Sequence, residues 1–535
     1  MSKPQLHHLL LKAEKARKSA NFSECKRLCE AILRINKDEM GAVETLALCA
    51  LETKHFAEAF DAARKLTDAE PHNVNGAMIA SVALMNTSQD ELAVHVLEEQ
   101  ISRTPSVPAL LFNLHSAYAA LGLNQKALEV AMRAIQLVPT NADAYNNLGA
   151  SLHACARQSD AVIAFQTAVD LNPKHYTARL NLANAISGDD AKIIQEIEYV
   201  VREAKGVLSE RALVGALHNT AFPYLRLGNL EKGWERLEHG FSPLIDSNRG
   251  RRPQRTFTEP RWTGQPLKGK SLLVWREQGL GDEIMFASML DELRALDGKV
   301  ILECEPRLVS VFQRSFPEFE VRAELYRSIF PFDSPYKDFD LQIPLGSLAG
   351  LYRRKIEDFD RSKAYWVPEP TQLAKYQERL QAACGGKKKV GLCWRSAVVS
   401  PTRSTSYTML MDWSDLLRRD DVCVVNLQYG PCEKELLEVE SELGCQIVRW
   451  TDTDLQKDLE AVAAIIANLD VVCSVGTAVA QISGAVGTRT LLCADSFNWT
   501  SFGTQGYPFQ PSMQLVVGEE KSNMKSAVEK TIQNI

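Results

Sequence analysis

The most constraining feature of this chain is a spacing of 34 residues that recurs through its first third. Two independent columns share this period, one of proline and one of small residues. The prolines are Pro71, Pro105, Pro139 and Pro173, and the small residues are Cys25, Ala59, Ala93, Ala127 and Ala161. A small side chain lets two helices approach closely, and proline stands where a helix must stop. The period therefore predicts stacked helix pairs over residues 6–175.

Residues 142–175 carry the fullest copy of this pattern. Its apolar and small positions are Tyr145, Leu148, Gly149, Leu152, Ala161, Phe165, Ala168 and Pro173. They resemble the tetratricopeptide repeat, which implies an N-terminal all-α superhelix. A degenerate sixth repeat from about residue 176 and a helical pair over residues 213–240 extend it, so we expect a superhelical domain over residues 1–245.

A third column with the same period contains asparagine. Asn113, Asn147 and Asn181 stand at one position of successive repeats. They resemble the asparagine ladder of the O-GlcNAc transferase repeats, which implies a groove that grips a peptide backbone with side-chain amides. The alternative is that asparagine stands here for packing, since it is common at this position in repeats of any function.

The second half of the chain changes to an α/β texture. After a basic, polar connector (residues 246–266) come short apolar runs separated by helical stretches, including a helix predicted over Asp282–Ala295. The predicted strands are Leu272–Val274, Val300–Glu303, Leu341–Pro344, Val390–Trp394, Val422–Leu427, Ile447–Trp450, Val471–Val475 and Thr490–Ala494. This alternation predicts two doubly wound parallel sheets, over residues 267–370 and 371–535.

Ligands of such sheets bind beyond the carboxyl ends of the strands, so the segments after each strand are candidate site residues. One of them, "WREQGLGDEIMF" (275–286), contains Gly279 and Gly281 but has Ile284 where a dinucleotide fingerprint needs a third glycine. This turn is therefore a weak signal for NAD.

Four segments carry a wider resemblance: "VWREQGLGDEIMFASML", "VGLCWRS", "NLQYG" and "LDVVCSVGTAVAQISGAVGT". They resemble bacterial proteins that join tetratricopeptide repeats to a glycosyltransferase module of the GT-B type, with two Rossmann-like halves. The module is similar to ADP-heptose:lipopolysaccharide heptosyltransferases and, more distantly, to O-GlcNAc transferase. Members of this group include flagellin glycosyltransferases that attach nonulosonic acids such as pseudaminic acid.

The resemblance implies a general base at Asp282, beside Gly281, because an acceptor hydroxyl must lose its proton as it attacks the sugar. Glu277 is a second candidate for the same role. The alternative for Asp282 is that it only caps the first turn of the following helix.

The resemblance also implies the donor-binding residues. Gly476, Thr477 and Ala478 would offer backbone N–H groups at a helix N-terminus to a donor phosphate. Gly476 and Gln481 replace the aspartate and histidine of the heptosyltransferase pattern. Gln481 could hydrogen-bond the donor phosphate or ribose, but it cannot carry the charge of an imidazolium.

Further donor contacts are expected from the neighbouring strand ends. Arg395 or Arg403 would neutralise the leaving phosphate, with Ser396 beside them, and Gln428 and Tyr429 would lie near the base or ribose. Trp394 is expected in the core, and both arginines could instead be solvated.

Composition narrows the remaining choices. The net charge of −6 argues against a nucleic-acid partner. We expect no membrane span and a cytoplasmic location. The 12 cysteines contain no C-x-x-C pair and are expected to be free buried thiols. We expect no metal and no cofactor besides the nucleotide sugar, although "DTD" (452–454) could bind a cation or the donor ribose.

The function predicted from these observations is a metal-independent protein O-glycosyltransferase. It would use a nucleotide sugar such as a CMP-nonulosonic acid, and an acceptor such as flagellin held by the repeats. Two alternatives stay open: a repeat scaffold with a decayed catalytic half, and a transferase that acts on a saccharide.

Overall fold

The computed structural model describes residues 3–245, 250–325, 332–333, 337–396, 406–496, 498–518 and 524–535. The chain divides into two compact units, Met1–Ala204 and Lys205–Ile535. We call them the repeat unit and the α/β unit.

The repeat unit consists of antiparallel helix pairs. In chain order the pairs are α1 Lys3–Lys18 with α2 Phe22–Ile35, α3 Met40–Glu52 with α4 Phe56–Ala69, α5 Val74–Asn86 with α6 Asp90–Arg103, α7 Pro108–Ala120 with α8 Asn124–Leu137, α9 Ala142–Ala154 with α10 Gln158–Leu171, and α11 Tyr176–Ala185 with α12 Asp190–Glu203. From Met40 to Tyr176 the first helix of each pair begins every 34 residues. The predicted helical repeats are thereby confirmed.

The two sequence columns have the structural roles expected of them. Every member of the small column is at most 1% exposed, in the contact between the helices of a pair. Each proline of the other column lies two residues beyond the end of a second helix, as Pro173 lies beyond Leu171. Cys25 is therefore a packing residue of the first pair.

The turn inside each of the first five helix pairs carries a left-handed residue that the sequence pattern did not predict. The residues are Ala20, Lys54, Ser88, Gly122 and Ala156, with φ between 56° and 70°. In each turn the next residue donates its N–H to the carbonyl five positions earlier, as Arg157 donates to Leu152 (2.9 Å). This closure is typical of a helix C-terminus in which glycine is the favoured residue, yet only Gly122 is glycine.

The α/β unit begins with two helices and continues as alternating strands and helices. In chain order the elements are α13 Glu210–Arg226, α14 Leu230–Leu237, β1 Arg255–Thr256, β2 Ser271–Trp275, α15 Leu280–Ala287, β3 Lys299–Cys304, α16 Val309–Ser315, β4 Glu320–Ala323, β5 Phe332–Asp333, β6 Leu341–Pro344, α17 Leu348–Tyr352, α18 Pro370–Cys384, β7 Lys388–Cys393, α19 Ser414–Leu417, β8 Val422–Asn426, α20 Glu433–Leu443, α21 Leu459–Ala467, β9 Val471–Ser474, α22 Ala478–Val486, β10 Thr490–Ala494, β11 Met513–Val517 and α23 Met524–Gln533.

Two parallel sheets form the framework of this unit. The first has the strand order β4-β3-β2-β6 and the second β11-β10-β9-β7-β8, and a separate pair joins β1 to β5. All of their pairings are parallel. The inner strands β2, β9 and β10 are almost wholly buried because helices cover both faces of such sheets.

Several element boundaries differ from the sequence prediction. The helix predicted over Asp282–Ala295 ends at Ala287 and is followed by a 3₁₀ segment, Leu290–Ala295. The predicted strand Ile447–Trp450 is reduced to one bridge between Val448 and Val425. Strands β4 and β11 were not predicted, because β4 is short and largely polar and β11 lies at the sheet edge beyond the last predicted strand.

The start of the α/β unit also differs from the expected boundary after residue 245. Leu230, Trp234 and Leu237 of α14 belong to the same apolar core as β2 and α15, so this helix packs with the α/β half. The expected connector is not a solvated linker where it is described, since Arg251 and Trp262 are each 1% exposed.

The expectation that every cysteine is a free thiol is wrong for one pair. Cys384 at the end of α18 and Cys423 in β8 form a disulfide, with their Cα atoms 5.4 Å apart. The sequence gives no sign of this pairing, because the two residues are 39 positions apart and meet only when α18 packs on β8. The other ten cysteines are free.

Candidate functional site

A cleft of about 670 Å³ lies where the carboxyl ends of both sheets meet. We call it the intersheet cleft. Two helices begin at its wall, α15 at Leu280 and α22 at Ala478. They approach closely, because a Cβ atom at Gly281 would lie 3.9 Å from Ala478 Cα and 3.6 Å from Gln481 Cγ. Each helix N-terminus carries a partial positive charge, so the two N-termini at this cleft favour an anionic ligand.

Asp282 lies in the first turn of α15 and lines the intersheet cleft. The backbone N–H of Gly279 donates to its Oδ2 atom (3.2 Å), which fixes the carboxylate against the turn. This contact is the helix cap that was one alternative for Asp282. A cap uses one face of a carboxylate, and each oxygen has more than one lone pair, so the cap and proton acceptance are compatible.

In the turn before Asp282, the left-handed conformation is adopted by a glutamine and not by Gly279. Gln278 has φ of +61°, whereas Gly279 has φ of −88°. A left-handed non-glycine residue costs free energy and persists only where its surroundings enforce it. Here the N–H of Gln278 donates to the carbonyl of Arg252, which binds the turn to residues that precede the first sheet.

Glu277 does not reach the cleft. Its side chain is completely buried, and Arg251 Nε donates to its Oε2 (2.6 Å) while the Gly346 amide donates to its Oε1 (2.9 Å). Glu238 binds the same guanidinium at 2.8 Å. Burial raises the pKa of Glu277, and Arg251 opposes that rise. This placement favours a structural role over the predicted second role as a base.

The turn between β9 and α22 brings Gly476, Thr477 and Ala478 to the cleft. Thr477 Oγ1 lies 3.0 Å from Ser474 Oγ and 3.7 Å from Cys393 Sγ, so its hydroxyl braces the ends of β9 and β7. An added Cβ at Gly476 would meet no atom within 4 Å, so this residue faces open space. The first N–H groups of a helix have no partner within the helix, and those of α22 are therefore available to a ligand.

Gln481, one turn further along α22, also lines the cleft. Its Nε2 atom donates to the Tyr507 hydroxyl (2.8 Å), which in turn lies 3.1 Å from Met285 Sδ of α15. Burial raises the pKa of Tyr507 to about 12, so the hydroxyl keeps its proton. Gln481 Oε1 is buried with no hydrogen-bond partner among the described residues.

Two other predicted donor-binding residues serve as braces. Arg395 forms an ion pair with Glu435 and does not line the cleft. Gln428 is 2% exposed, and its Oε1 accepts from the backbone amides of Trp394 (3.1 Å) and Arg395 (2.9 Å). These contacts join the ends of β7 and β8. Trp394 lies in the core, as expected.

Ser396 and Tyr429 line the intersheet cleft, and the Tyr429 hydroxyl donates to Ser396 Oγ (3.4 Å). Arg403 falls outside the described residues. Of the predicted site residues, the cleft brings together Gly279, Gly281, Asp282, Ser396, Tyr429, Gly476, Thr477, Ala478 and Gln481.

Arg307 is a cleft residue that sequence reasoning missed. It follows β3 and lines the intersheet cleft, where its Nη1 donates to the carbonyl of Gln456 (2.8 Å) and its Nε to Glu305 (2.8 Å). It therefore connects the first sheet's half to the second. The rule that ligands bind after strand ends would have found it, had it been applied to β3.

A smaller pocket of about 320 Å³ adjoins the cleft and shares Tyr429, Leu455 and Gln456 with it. Its wall includes Asn426, Trp450 and also Gln428, which was predicted to lie near the base or ribose. Asp454 of the "DTD" segment also lines it, but Asp454 accepts from backbone amides and Asp452 binds Arg379 (2.6 Å). Over the described stretches we find no cluster of three His, Cys, Asp or Glu side chains suited to a metal.

The asparagine column lies at the sixth residue of α7, α9 and α11, and all three side chains are half-buried. Asn113 Nδ2 donates to Ser81 Oγ (3.2 Å), and Asn181 Nδ2 donates to Asn146 Oδ1 (2.9 Å). These two amides therefore bridge neighbouring repeats, which is the packing alternative. Peptide binding by the column stays a prediction.

Comparison with known proteins places the repeats in a known family. The tetratricopeptide-repeat family matches residues 142–175. Small glutamine-rich tetratricopeptide repeat-containing protein 2 of Mycosarcoma maydis is 28% identical over 91 residues, which cover 17% of this chain and 26% of that protein. No helix among the residues that the structure describes is long and apolar enough to cross a membrane.

Solved repeat proteins are similar to part of the chain. A thermophilic TPR protein of Thermus thermophilus is 20% identical, with 34% of this chain and 98% of that chain covered and a TM-score of 0.29. A tetratricopeptide repeat protein from Parabacteroides merdae is 12% identical, with 44% and 91% covered and a TM-score of 0.37.

The widest similarity extends over both units. Protein FlbA of Caulobacter vibrioides is 32% identical over 421 residues, which cover 76% of this chain and 69% of that protein. This chain has tetratricopeptide repeats in its first unit and parallel sheets in its second. Its identity with Protein FlbA over most of both chains shows that the chain belongs to the family of Protein FlbA.

Proposed function

We propose that the α/β unit is a nucleotide-sugar-dependent glycosyltransferase that modifies a hydroxyl group of a protein bound by the repeats. The observation that carries the proposal is the position of Asp282. Its carboxylate lies at the mouth of two facing helix N-termini, in a cleft of about 670 Å³ at the carboxyl ends of two parallel sheets. This arrangement combines a proton acceptor with a site for anionic groups.

In the proposed step, the acceptor oxygen forms a bond to the anomeric carbon of the sugar. The bond from that carbon to the phosphate oxygen breaks, and the nucleotide leaves with the bonding electrons. Asp282 takes the proton of the acceptor hydroxyl. The N–H groups at Thr477 and Ala478 stabilise the charge that develops on the leaving phosphate, and Arg307 is the nearby cation that would assist them.

The nucleoside would occupy the adjoining pocket of about 320 Å³, where Trp450 offers an aromatic wall and Asn426 lies at the end of β8. Tyr429 lines both spaces and would lie between base and phosphate. The resemblance to flagellin glycosyltransferases suggests a CMP-activated nonulosonic acid as the donor and flagellin as the acceptor.

A scaffold without catalysis is the second candidate function, and one observation favours it. The guanidinium of Arg395 is bound by Glu435, and Gln481 has no charge, so two positions expected to help the leaving phosphate do not supply a free cation. In this case the repeats would carry the function, and the α/β unit would bind no nucleotide sugar.

Nucleotide binding distinguishes these candidates. The melting temperature of the full chain is measured with CMP, CDP, UDP, GDP and ADP and with their sugar conjugates. A ligand that binds only the folded state adds about 2.7 kcal/mol at a hundred times its Kd, which is readily detected. A rise with CMP supports the nonulosonic acid donor, and a rise with another nucleotide keeps the transferase but changes the sugar. A well-folded sample that responds to none of them supports the scaffold.

A further inference from the structure

Asp282 also lines a second cavity of about 500 Å³ in the α/β unit. We call it the side cavity. It shares only Gly279, Asp282 and Trp499 with the intersheet cleft. The two spaces therefore adjoin at Asp282. A general base for this reaction needs a position between two spaces. It must contact the hydroxyl of the acceptor in one space while the donor sugar lies in the other.

Trp499 forms a fixed wall between the two spaces. Its ring packs against Phe222 of α13, Trp234 of α14 and Phe286 of α15, with ring centroids 6.0 to 6.5 Å apart. Contacts from three elements hold the indole in place. The side cavity is thus bounded in part by a fixed aromatic side chain, and it meets the cleft at Gly279 and Asp282, which line both spaces.

The side cavity has a mixed apolar and polar lining. Its apolar side chains are Phe222, Leu237, Phe286 and Trp499, and its polar side chains are His218, Arg251, Arg252, Gln278 and Asp282. A peptide segment that presents a hydroxyl group matches this lining, because its carbon atoms can lie on the rings while its carbonyl groups accept from arginine and amide N–H groups.

Arg252 differs sharply from its neighbour Arg251. Arg251 is 1% exposed and is bound by Glu277 and Glu238. The Arg252 side chain is exposed and forms no ion pair or hydrogen bond in the part of the chain that the structure describes. Its backbone is nevertheless fixed, since its carbonyl accepts the N–H of the left-handed Gln278. An unpaired cation on a fixed backbone is suited to binding a partner.

We propose that the side cavity receives the serine- or threonine-bearing segment of the acceptor protein, and that Arg252 binds the backbone of that segment so that its hydroxyl lies against Asp282. This proposal rests on the proposed function. It assigns donor and acceptor to two separate spaces with Asp282 between them, and it makes Arg252 a determinant of acceptor binding rather than of donor binding.

The test is a steady-state comparison of full-length wild type, Arg252→Ala, Phe222→Trp and the control Arg418→Ala, with purified flagellin as acceptor. The donor is the nucleotide sugar that raises the melting temperature of wild type. Arg418 is an arginine outside both spaces, with a side chain 58% exposed. Phe222→Trp adds bulk to the side cavity, and Arg252→Ala removes an exposed side chain that the fold does not need.

We expect Arg252→Ala to raise KM for flagellin about tenfold, the usual scale for a lost hydrogen bond to a charged group, with KM for the donor changed less than about twofold. Phe222→Trp should act in the same direction, and Arg418→Ala should match wild type. An unchanged KM for flagellin in Arg252→Ala, or a rise in the donor KM instead, overturns this proposal. A wild type that binds no nucleotide overturns the proposed function itself, and with it the acceptor assignment.

Discussion

Glu277 accepts hydrogen bonds from two nitrogens of the buried Arg251 guanidinium, with Nε at 2.6 Å from Oε2. This pair joins the strand end that precedes Asp282 to a segment that the sequence marks as basic and polar. Removing one partner of a buried pair leaves a charge without compensation. The pair therefore distinguishes a structural Glu277 from a catalytic one.

Glu277→Gln should lower the free energy of unfolding by about 3 kcal/mol, because among the described residues Arg251 then keeps Glu238 alone as a charged partner. Thermal and urea unfolding measure this change. The control Glu235→Gln alters a side chain that is 54% exposed and should stay within about 0.5 kcal/mol of wild type. If Glu277→Gln has normal stability but no transfer activity, Glu277 acts in catalysis and not in the fold.

Asp282→Asn should reduce transfer to the acceptor by at least about 100-fold, since an amide cannot accept the acceptor's proton. The fold should be kept, because an asparagine oxygen can still accept from the Gly279 amide as Oδ2 does at 3.2 Å. Nucleotide binding, followed by melting temperature, should also be kept. Transfer at the wild-type rate would mean that Asp282 is only a helix cap.

Gly476→Leu should abolish nucleotide binding without destabilising the protein. A Cβ at this position meets no atom within 4 Å, so the added side chain would extend into the intersheet cleft where the phosphate is proposed to lie. Gly386→Leu is the matched control: it also has open space around it, but it precedes β7, at the opposite end of the sheet. Equal nucleotide affinity in both variants would contradict a phosphate site at Gly476.

The stability of the α/β unit should depend on pH through Glu283. Burial raises the pKa of Glu283 from its ordinary value of 4.5 to about 7, although Arg276 at 2.9 Å opposes the rise. The folded state therefore holds this proton more tightly than the unfolded state does. The resulting stabilisation is complete below pH 4.5 and is lost as the pH rises through about 7.

Glu283→Gln removes this dependence. The free energy of unfolding of wild type should fall relative to that of the variant by up to about 3 kcal/mol between about pH 4.5 and pH 8. Urea unfolding at several pH values measures the difference. Parallel pH profiles for the two proteins would show that the carboxylate is already ionised at low pH, held by Arg276.

The left-handed turns of the repeat unit allow a paired test of backbone strain. Ala156→Gly should raise the free energy of unfolding by about 1 kcal/mol, and Gly122→Ala should lower it by a similar amount. Both residues have positive φ, 58° at Ala156 and 70° at Gly122, and an added Cβ at Gly122 meets no atom within 4 Å. The two exchanges are the reverse of each other in the same backbone conformation, so opposite changes in stability are expected. Two changes of the same sign in the melting transition of the repeat unit would contradict this explanation.

The repeats were predictable because one period fixes both packing and helix ends. Cys25 and Ala161 are small for the same reason, a close contact between helices, and Pro173 stands where α10 has ended. The turn residues were not predictable, since Ala156 holds a conformation that glycine would favour. Hydrogen bonds of the surrounding helix enforce that conformation, and the type of residue in the turn does not indicate it.

The sequence predicted which residues lie at the candidate site, but it did not predict the partners of their side chains. The strand-end rule brought Asp282, Thr477 and Gln481 to one cleft. It could not indicate that Arg395 turns toward Glu435, because the acidic partner lies on a helix 40 residues away. A sequence shows that a loop residue is charged, whereas tertiary packing decides which residue is its counter-ion.

One apolar core passes through both halves of the α/β unit. Ile284 and Phe286 of α15 belong to the same cluster as Ala480 of α22, and an ion pair between Arg314 and Glu460 joins the halves. Wide separation of the sheets would expose this shared interior to water. Under the proposed function, substrates would therefore arrive and products depart through the rim of the cleft, with the two sheets acting as a single frame, and turnover would not be paced by a swing of one half against the other.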